Sequence, residues 1–309
     1  MYNRRKFLQT SGALALGGIL LPKLSKAAIF EFPDVTKQIG IQVYSVNKFL
    51  GKDPKALFEQ LAKIGFVNIE TAFNPVGPYY GYTPKELSAM IRGMGMKWLS
   101  HHVAGAGFNR PPAGNANPKP QGNTQSFPKF LNLRDNLQQL VNDAAEGGLE
   151  FLTCASTPIG TLAEVNKSID TFQKAGEACK KAGIQFVYHN HATEFDPVEG
   201  GKSAYELILS QTDKDLVKME LDLAWAAKAK QNPSELFKEN PGRFPLWHIK
   251  DYDLANNKIM PIGKGSVDFK PTFEHARLAG LRYYFYEQDG VQNMEDVELS
   301  YTNLKNLVS

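Results

Sequence analysis

Residues 181–194 read KAGIQFVYHNHATE, and the order of residue types in this stretch decides the fold. A helical pattern ends at Gly183, where a left-handed turn is easily made, and the run Gln185 to His189 follows at once. That run is rich in aromatic and β-branched residues, as strands are, and it passes into polar residues. The stretch therefore predicts a helix, a tight turn, a strand and a polar loop, the repeating unit of parallel sheets.

The same pattern recurs along the chain. Glycines also end the helical patterns at Lys63-Ile64-Gly65 and Leu278-Ala279-Gly280. Eight strands are predicted: Gly40 to Tyr44, Val67 to Thr71, Lys97 to His101, Phe151 to Ala155, Gln185 to His189, Val217 to Asp222, Leu246 to Lys250 and Tyr283 to Glu287. Eight alternations of strand and helix favour a single (β/α)8 TIM barrel of the α/β class over a doubly wound sheet. No Gly-x-Gly-x-x-Gly run follows the first strand, which disfavours a dinucleotide cofactor.

The N-terminus resembles a twin-arginine export signal. Arg4 and Arg5 precede a short apolar run, Ala13 to Leu21, and the small residues around Ser25-Lys26-Ala27 fit a cleavage site. The sequence thus predicts a signal over residues 1–28, a barrel over 29–309 and a periplasmic location. The apolar run is shorter than the roughly 20 residues of a membrane span, so no stable membrane association is expected after processing. An uncleaved anchor is the alternative.

Charge separates the signal from the rest of the chain. The formal net charge is +3, and residues 1–28 hold five basic and no acidic residues, which leaves −2 for the remainder. A weakly acidic protein lacks the clustered basic residues that nucleic-acid binding needs, so no nucleic-acid partner is expected. Cys154 and Cys179 are too few for a disulfide framework and are expected to be buried thiols. A homodimer is left open.

One connection is unusually long. Residues 104–129 follow the third strand and are rich in Pro, Gly and Asn. Loops of this length within a barrel are usually functional or disordered. The segment is therefore a candidate lid, with an insertion of no catalytic role as the alternative.

Histidines gather at the strand ends. Five of the six fall at or just after the end of a predicted strand: His101, His102, His189, His191 and His248. In a barrel all strand carboxyl ends meet on one face, where barrel enzymes have their active sites. These histidines therefore mark the candidate site.

Carboxylates follow the same strand ends. Glu194 lies beyond the fifth strand, Asp222 ends the sixth, and Glu287 ends the eighth, while His248 is near the end of the seventh. Three carboxylates and one imidazole from consecutive strands could converge on one divalent metal ion. Such donors suit Mn²⁺, Co²⁺, Zn²⁺ or Mg²⁺.

The chain resembles the xylose isomerase-like barrel superfamily, the sugar phosphate isomerase/epimerase group that includes inosose dehydratases. The resemblance covers Ile39 to Val308 and rests on four pieces: His248-x-Lys250-Asp251, Asp222 between two leucines, His189-x-His191-x-x-Glu194, and the strand-terminal Glu287. It implies that Glu194, Asp222, His248 and Glu287 bind the metal ion. The keto-sugar epimerases of the group carry their first ligand as a Glu inside the fifth strand, where this chain has His189, so the dehydratase-like arrangement fits better.

Roles for the other polar residues follow from their place at the barrel mouth. His191 or His102 is expected to transfer the proton, because imidazole titrates near neutral pH, and Lys250 is expected to stabilise an oxyanion. The candidate substrate-binding residues are Glu70, His101, His189, Trp225 and Asp251.

The function that these residues predict is metal-dependent isomerisation or epimerisation of a small carbohydrate through an enediolate. The substrate is expected to be a free sugar, a keto-sugar or an inositol-like compound, since phosphorylated sugars are mainly cytoplasmic. A dehydratase or lyase with the same site is the first alternative. An exported barrel that binds a sugar without catalysis is the second, and an endonuclease IV-like hydrolase is the third, disfavoured by charge.

Overall fold

The computed structural model describes residues 38–51, 53–74, 76–107 and 131–309, and within these residues eight parallel strands close into a barrel. The barrel strands are β1 (Gly40–Gln42), β2 (Asn68–Thr71), β3 (Lys97–Ala104), β4 (Phe151–Ser156), β5 (Gln185–His189), β6 (Val217–Asp222), β7 (Leu246–Ile249) and β10 (Tyr283–Tyr286). Neighbours in the chain are neighbours in the barrel, and β10 closes the ring against β1. The predicted single TIM barrel is confirmed.

Helices surround the barrel between the strands. They are α1 (Pro54–Ile64), α2 (Pro84–Gly93), α3 (Leu133–Gly147), α4 (Leu162–Lys181), α5 (Ala204–Gln211), α6 (Leu223–Lys228), α7 (Pro233–Glu239), α8 (Lys270–Glu274), α9 (Ala276–Ala279) and α10 (Met294–Leu307). Short 3₁₀ turns cover Val43–Phe49 and Thr193–Phe195, and a hairpin of β8 (Asp251–Asp253) and β9 (Lys258–Met260) follows β7 outside the ring.

Local sequence signals set the helix ends. Thr83 with Glu86, Thr161 with Glu164 and Ser203 with Glu206 form reciprocal capping boxes at the starts of α2, α4 and α5. Gly280 ends α9 with φ of +77°, and a Cβ there would lie 2.9 Å from the Cα of Gly242. The predicted glycine stop before the last barrel strand is therefore required by both conformation and space.

The barrel interior is apolar toward the amino ends of the strands and polar toward their carboxyl ends. A small buried cluster fills the lower part: Leu99, Phe151, Val187, Leu246 and Phe285. Side chains two residues apart on a strand share a face, so Val187, Leu246 and Phe285 lie below His189, His248 and Glu287. The polar layer at the carboxyl ends thus rests on an apolar floor that excludes water.

The two cysteines are free and buried, as predicted. Burial raises the pKa of the Cys154 thiol and of the Cys179 thiol to about 12, because the apolar surroundings disfavour the thiolate. We expect a thiol-specific disulfide reagent to modify neither cysteine in the native protein at pH 8 and both in guanidinium chloride. Rapid modification of the native protein would contradict the buried positions.

Two predicted segments lie outside the described residues: the export signal, 1–28, and most of the candidate lid, 108–129. Both stay predictions. Among the described residues, no helix combines the length and apolar character needed to cross a membrane.

Candidate metal centre and active site

Four side chains converge at the carboxyl ends of consecutive barrel strands. His189 ends β5, Asp222 ends β6, His248 lies in β7, and Glu287 directly follows β10. One donor atom from each residue lies within 4.8 Å of the other three donor atoms, and all four residues are buried. We call these four residues the upper set.

The upper set contains three of the four predicted metal ligands, with His189 in the place expected for Glu194. Glu194 lies in the 3₁₀ turn after β5, where the Tyr188 hydroxyl donates to one carboxylate oxygen at 3.0 Å. The backbone N–H of His191 donates to the other oxygen at 2.9 Å. The structure does not bring Glu194 into the upper set, and a metal-binding role for it stays a prediction.

The ammonium group of Lys250 lies between carboxylates of this site. Its Nζ is 3.1 Å from Asp222 Oδ2, 2.8 Å from Glu287 Oε2 and 3.0 Å from Asp289 Oδ2. Burial acts to lower the pKa of Lys250, but the three carboxylates outweigh burial and hold the pKa well above its usual value. The carboxylates thus already attract one cation, and Lys250 is a charged competitor for any second one.

Replacing Lys250 with methionine should therefore affect metal binding and turnover in opposite directions. We expect the affinity for Zn²⁺ or Co²⁺ to rise at least about tenfold, because a unit charge about 4 Å away is worth on the order of 1–4 kcal/mol and 1.4 kcal/mol is a factor of ten. We expect turnover to fall by about 10²-fold through loss of an electrostatic stabiliser. Competition with a chromophoric chelator measures the affinity.

Lys228→Met is the matched control for that variant. Lys228 Nζ lies 5.2 Å from the ring centre of Trp225, and Lys250 Nζ lies 5.0 Å from the same ring. Lys228 is exposed, so its loss should leave metal affinity within about twofold. Weaker metal binding by Lys250→Met would mean that the lysine supports the site and does not compete with the ion.

A second group of donors lies deeper in the barrel. Glu220 precedes Asp222 by two residues on β6, which places it roughly 6–7 Å further from the mouth. One donor atom each from His102, His189, Glu220 and His248 also lies within 4.8 Å of the others, and we call these four residues the deep set. The Glu220 Oε2 atom is 2.9 Å from His102 Nε2, 3.1 Å from His189 Nδ1 and 3.2 Å from His248 Nε2.

Glu70, which is predicted to bind substrate, lies near the carboxyl end of β2 and beside the deep set. Its Oε2 accepts from Gln42 Nε2 at 2.9 Å and lies 2.5 Å from His248 Nε2 and 3.1 Å from His102 Nε2. Burial acts to raise the pKa of Glu70, but the two histidines hold it well below its usual range. The side chain is fully buried, so this carboxylate acts on the neighbouring imidazoles.

The histidines of the site differ in charge. Burial acts to lower the pKa of His102, yet the Glu70 and Glu220 carboxylates raise it to about 9. Burial, together with His248, lowers the pKa of His189 well below its usual value. Burial lowers the pKa of His101 to about 3. While no metal ion is bound, the carboxylates thus favour the imidazolium form of His102, whereas burial favours the neutral forms of His101 and His189.

Glu220 is the one residue of these two sets that the sequence reasoning did not single out. The signal was present: Glu220 and Asp222 are separated by two on a strand and so share the barrel face. A buried glutamate beside a predicted ligand on the inward face is itself an indication of an ionic site.

A cavity of about 510 Å³ opens above the upper set. His101, His102, His189, His191, Glu287 and Asp289 line it together with apolar residues. The His191 side chain is 45% exposed, and its ring lies 5.0 Å from that of His189. His101 Nδ1 is held 2.8 Å from the Thr71 hydroxyl. A cavity of this size with a few polar groups is typical of small-molecule sites.

Trp225 and Asp251 take different positions at the mouth. The Trp225 ring lies 6.0 Å from that of His191. The backbone N–H of Trp225 donates to Asp222 Oδ1 at 2.9 Å, so Asp222 caps the start of α6. The carboxylate of Asp251 accepts from the backbone N–H groups of Tyr252, Gly263, Gly265 and Val267 at 2.8–3.2 Å. Asp251 therefore positions the segment after β9, and its predicted contact with substrate stays a prediction.

Asp251→Ala should destabilise this segment. We expect the free energy of unfolding to fall by about 2–4 kcal/mol, because hydrogen bonds to a charged group contribute roughly 1.5–3 kcal/mol each and exposed amides can regain water. Urea unfolding measures the loss. Asp170→Ala on the exposed face of α4 is the control and should change stability by about 0.5 kcal/mol or less. An equal effect of the two variants would contradict the positioning role.

The upper set fits a divalent metal ion by its donor chemistry. Two imidazoles and two carboxylates suit Zn²⁺, Co²⁺ or Mn²⁺ better than Mg²⁺, which prefers oxygen donors. The Lys250 ammonium among these carboxylates is the observation that shows a cation can be accommodated there. His189 supplies a nitrogen from the end of β5, in the place that the resemblance gives to Glu194.

Fold and site together define a barrel with a buried centre of imidazoles and carboxylates at the carboxyl ends of its strands, the face on which TIM-barrel enzymes have their active sites. A family model described as xylose isomerase-like TIM barrel matches residues 58–287, and the chain belongs to this family. The family groups sugar isomerases, epimerases and dehydratases.

Individual relatives agree with that assignment. The inosose dehydratase of Clostridium botulinum (strain Alaska E43 / Type E3) is 25% identical over 255 residues, which span 73% of this chain and 78% of that protein. A crystal structure of a sugar phosphate isomerase/epimerase from Parabacteroides distasonis ATCC 8503 is 27% identical, with a TM-score of 0.69 and coverage of 88% of this chain and 95% of that one. A second structure of that description from the same organism is 24% identical, with a TM-score of 0.67 and coverage of 87% and 95%.

Proposed function

We propose that this protein is a metal-dependent enzyme that removes a proton next to the carbonyl group of a free sugar, keto-sugar or inositol-like substrate. The observation that carries the proposal is the upper set, four buried donors of which His189 and Glu287 line a cavity that the partly exposed His191 also lines. The family assignment supports a carbohydrate substrate. The inosose dehydratase at 25% identity and the sugar phosphate isomerase/epimerase at 27% identity support proton removal next to a carbonyl group.

The residues that would hold the ion are His189, Asp222, His248 and Glu287. When bound, a divalent ion supplies Lewis acidity that polarises the carbonyl and stabilises the enediolate. Glu194 remains a proposed ligand from the resemblance, and it would have to leave the Tyr188 hydroxyl and the His191 amide to bind the ion.

His191 is the group that we assign to proton transfer. It lines the cavity with its side chain partly exposed, so a substrate can reach its ring. His102 is the alternative base, but its Nε2 faces Glu70 and Glu220 and is not free to accept a proton from a substrate. Lys250 would oppose negative charge that develops on the substrate oxygens. His101, which lines the cavity, and Trp225, whose ring lies 6.0 Å from that of His191, remain proposed substrate contacts.

The fate of the proton separates two outcomes at the same site. Return of the proton to carbon gives isomerisation or epimerisation, whereas loss of a hydroxyl from the next carbon gives dehydration. The His189-Asn190-His191 run followed by Glu194, and the 25% identity to an inosose dehydratase, favour dehydration as the second candidate function.

One experiment tests the proposal for both outcomes. The purified protein, loaded with Mn²⁺, Co²⁺ or Zn²⁺, is incubated in D₂O with a set of keto-sugars and inososes and followed by ¹H NMR. We expect loss of the signal next to the carbonyl, with new sugar signals for an isomerase and an unsaturated product for a dehydratase. No exchange with any metal and any substrate of the set, while a sugar still binds, would leave a binding protein.

Export is a separate part of the proposal. The twin-arginine-type signal supports a periplasmic enzyme, and a periplasmic enzyme meets free sugars more than phosphorylated ones. Replacing Arg4 and Arg5 with lysine should retain the protein in the cytoplasm, as measured by cell fractionation. Undisturbed export would rule out this signal. The net charge of −2 beyond residue 28 continues to argue against a DNA substrate.

A further inference from the structure

The deep set lies below the proposed catalytic ion and has its own geometry. Three imidazole nitrogens surround the single Glu220 Oε2 atom at 2.9, 3.1 and 3.2 Å. Ligands that share one ion at about 2.0–2.1 Å are roughly 2.9–3.4 Å apart, by the geometry of octahedral and tetrahedral sites. These three nitrogen–oxygen distances match those between ligands of one ion, and one donor atom from each of the four residues lies within 4.8 Å of the others.

Hydrogen bonds from these histidines do not pair all the oxygen atoms of Glu70 and Glu220. His102 Nε2 and His248 Nε2 each face both Glu70 and Glu220, and His189 Nδ1 faces Glu220, which makes five nitrogen–oxygen contacts. Each imidazole nitrogen carries at most one proton, so at most three of the five can be directed hydrogen bonds. The Oε1 atoms of Glu70 and Glu220 have no hydrogen-bond partner among the described residues.

The negative charge of the buried carboxylates also favours a bound cation. Glu70 and Glu220 are both fully buried, and two carboxylates in such surroundings need compensation. A divalent cation that displaces the protons from His102 and His248 matches the combined charge of the two carboxylates. Three nitrogen donors with one or two carboxylate oxygens favour Zn²⁺ or Co²⁺ over Mg²⁺ or Ca²⁺.

We propose that His102, His189, Glu220 and His248 form a second divalent-cation site, distinct from the upper set and selective for Zn²⁺ or Co²⁺. Glu70 lies next to this site and adds the second negative charge. The two sites share His189 and His248, and His248 presents Nε2 to the deep set and Nδ1 to Glu287 of the upper set. The inference concerns metal binding and does not depend on which sugar is the substrate.

The test removes the upper site and asks whether an ion remains. Asp222→Asn with Glu287→Gln takes two carboxylates from the upper set and leaves the deep set intact. We expect this variant, loaded with Zn²⁺ or Co²⁺ and desalted, to retain about one ion per chain by elemental analysis. It should retain no Mg²⁺. Adding Glu220→Gln and His102→Gln should lower the retained metal at least tenfold.

Each outcome of this experiment bears on the deep site or on the proposed function. An upper-site variant that binds no ion, with a native circular dichroism spectrum, overturns the deep site while the wild-type ion and the proposed function stand. An ion retained after all four substitutions overturns it as well. If the four-residue variant fails to fold, Glu220→Gln alone in the upper-site variant should weaken Co²⁺ binding at least 100-fold. Retained deep-site metal with no proton exchange by the wild type would instead sink the proposed function alone.

Discussion

Replacing His248 with glutamine is expected to reduce turnover at least about 10³-fold and to lower the free energy of unfolding by about 3–5 kcal/mol. The ring of His248 lies between two sets of carboxylates, with Nδ1 2.7 Å from Glu287 and Nε2 2.5 Å from Glu70. Its loss removes a proposed metal ligand of the upper set and leaves buried carboxylates without their partner. Few single substitutions in this barrel should lower both turnover and the free energy of unfolding.

Two measurements separate the two effects of His248→Gln. Urea unfolding in the presence of a chelator reports the stability of the metal-free protein, and proton exchange in D₂O reports catalysis. His275→Gln is the matched control, because His275 lies after α8, where Nδ1 contacts Ser234 Oγ and the Pro271 carbonyl oxygen. His275→Gln should keep full turnover. A His248→Gln variant with wild-type stability would show that the buried carboxylates are protonated or solvated.

The sequence predicted the barrel well because the fold signal is local and repeated. Each strand is a short apolar run, and several helices end at a glycine such as Gly65 or Gly280, so these units can be recognised by themselves. The differences lie at strand ends: β3 continues to Ala104, three residues beyond the predicted end. His102 consequently lies within a strand and points into the deep polar layer instead of lying in a loop.

The site was harder to predict because its contacts join distant parts of the chain. Asp222, His248 and Glu287 could be grouped since each ends a strand, and the structure brings them together. Whether His189 or Glu194 completes the group depends on the direction of the chain after β5, where the 3₁₀ turn carries the Glu194 carboxylate to Tyr188. Spacing along the sequence does not encode that direction.

Ionic partners inside the barrel were also beyond the reach of sequence patterns. Glu70 and Lys250 were noticed as residues at the mouth, but their partners are residues of other strands. The result is a buried network in which carboxylates lie in direct contact with imidazoles and one ammonium group. Such a network rests on the apolar floor formed by residues such as Val187 and Leu246, which keeps water out.

Replacing His191 with glutamine is expected to lower turnover by roughly 10³-fold, within the range of general acid–base catalysis, and to leave metal content and stability unchanged. The side chain is 45% exposed, and its Nδ1 lies 3.7 Å from the buried Glu194 carboxylate, which keeps the bond from the Tyr188 hydroxyl after the substitution. The bond from the His191 backbone N–H to Glu194 is made by the main chain and survives the substitution. Glutamine keeps polarity but cannot take up a proton near neutral pH.

A structural role and a proton-transfer role for His191 give different results when imidazole is added. If His191 transfers the proton, exogenous imidazole should restore part of the exchange in His191→Gln, because the cavity above the upper set is large enough to admit it. His101→Gln is the comparison within the same cavity. His101 is neutral and held by Thr71, so that change should alter KM more than kcat and should not respond to imidazole. If the turnover of His191→Gln stays within about fivefold of wild type, His191 is not the base. The proton-transfer role would then be assigned to His102, which would approach the substrate from a different direction.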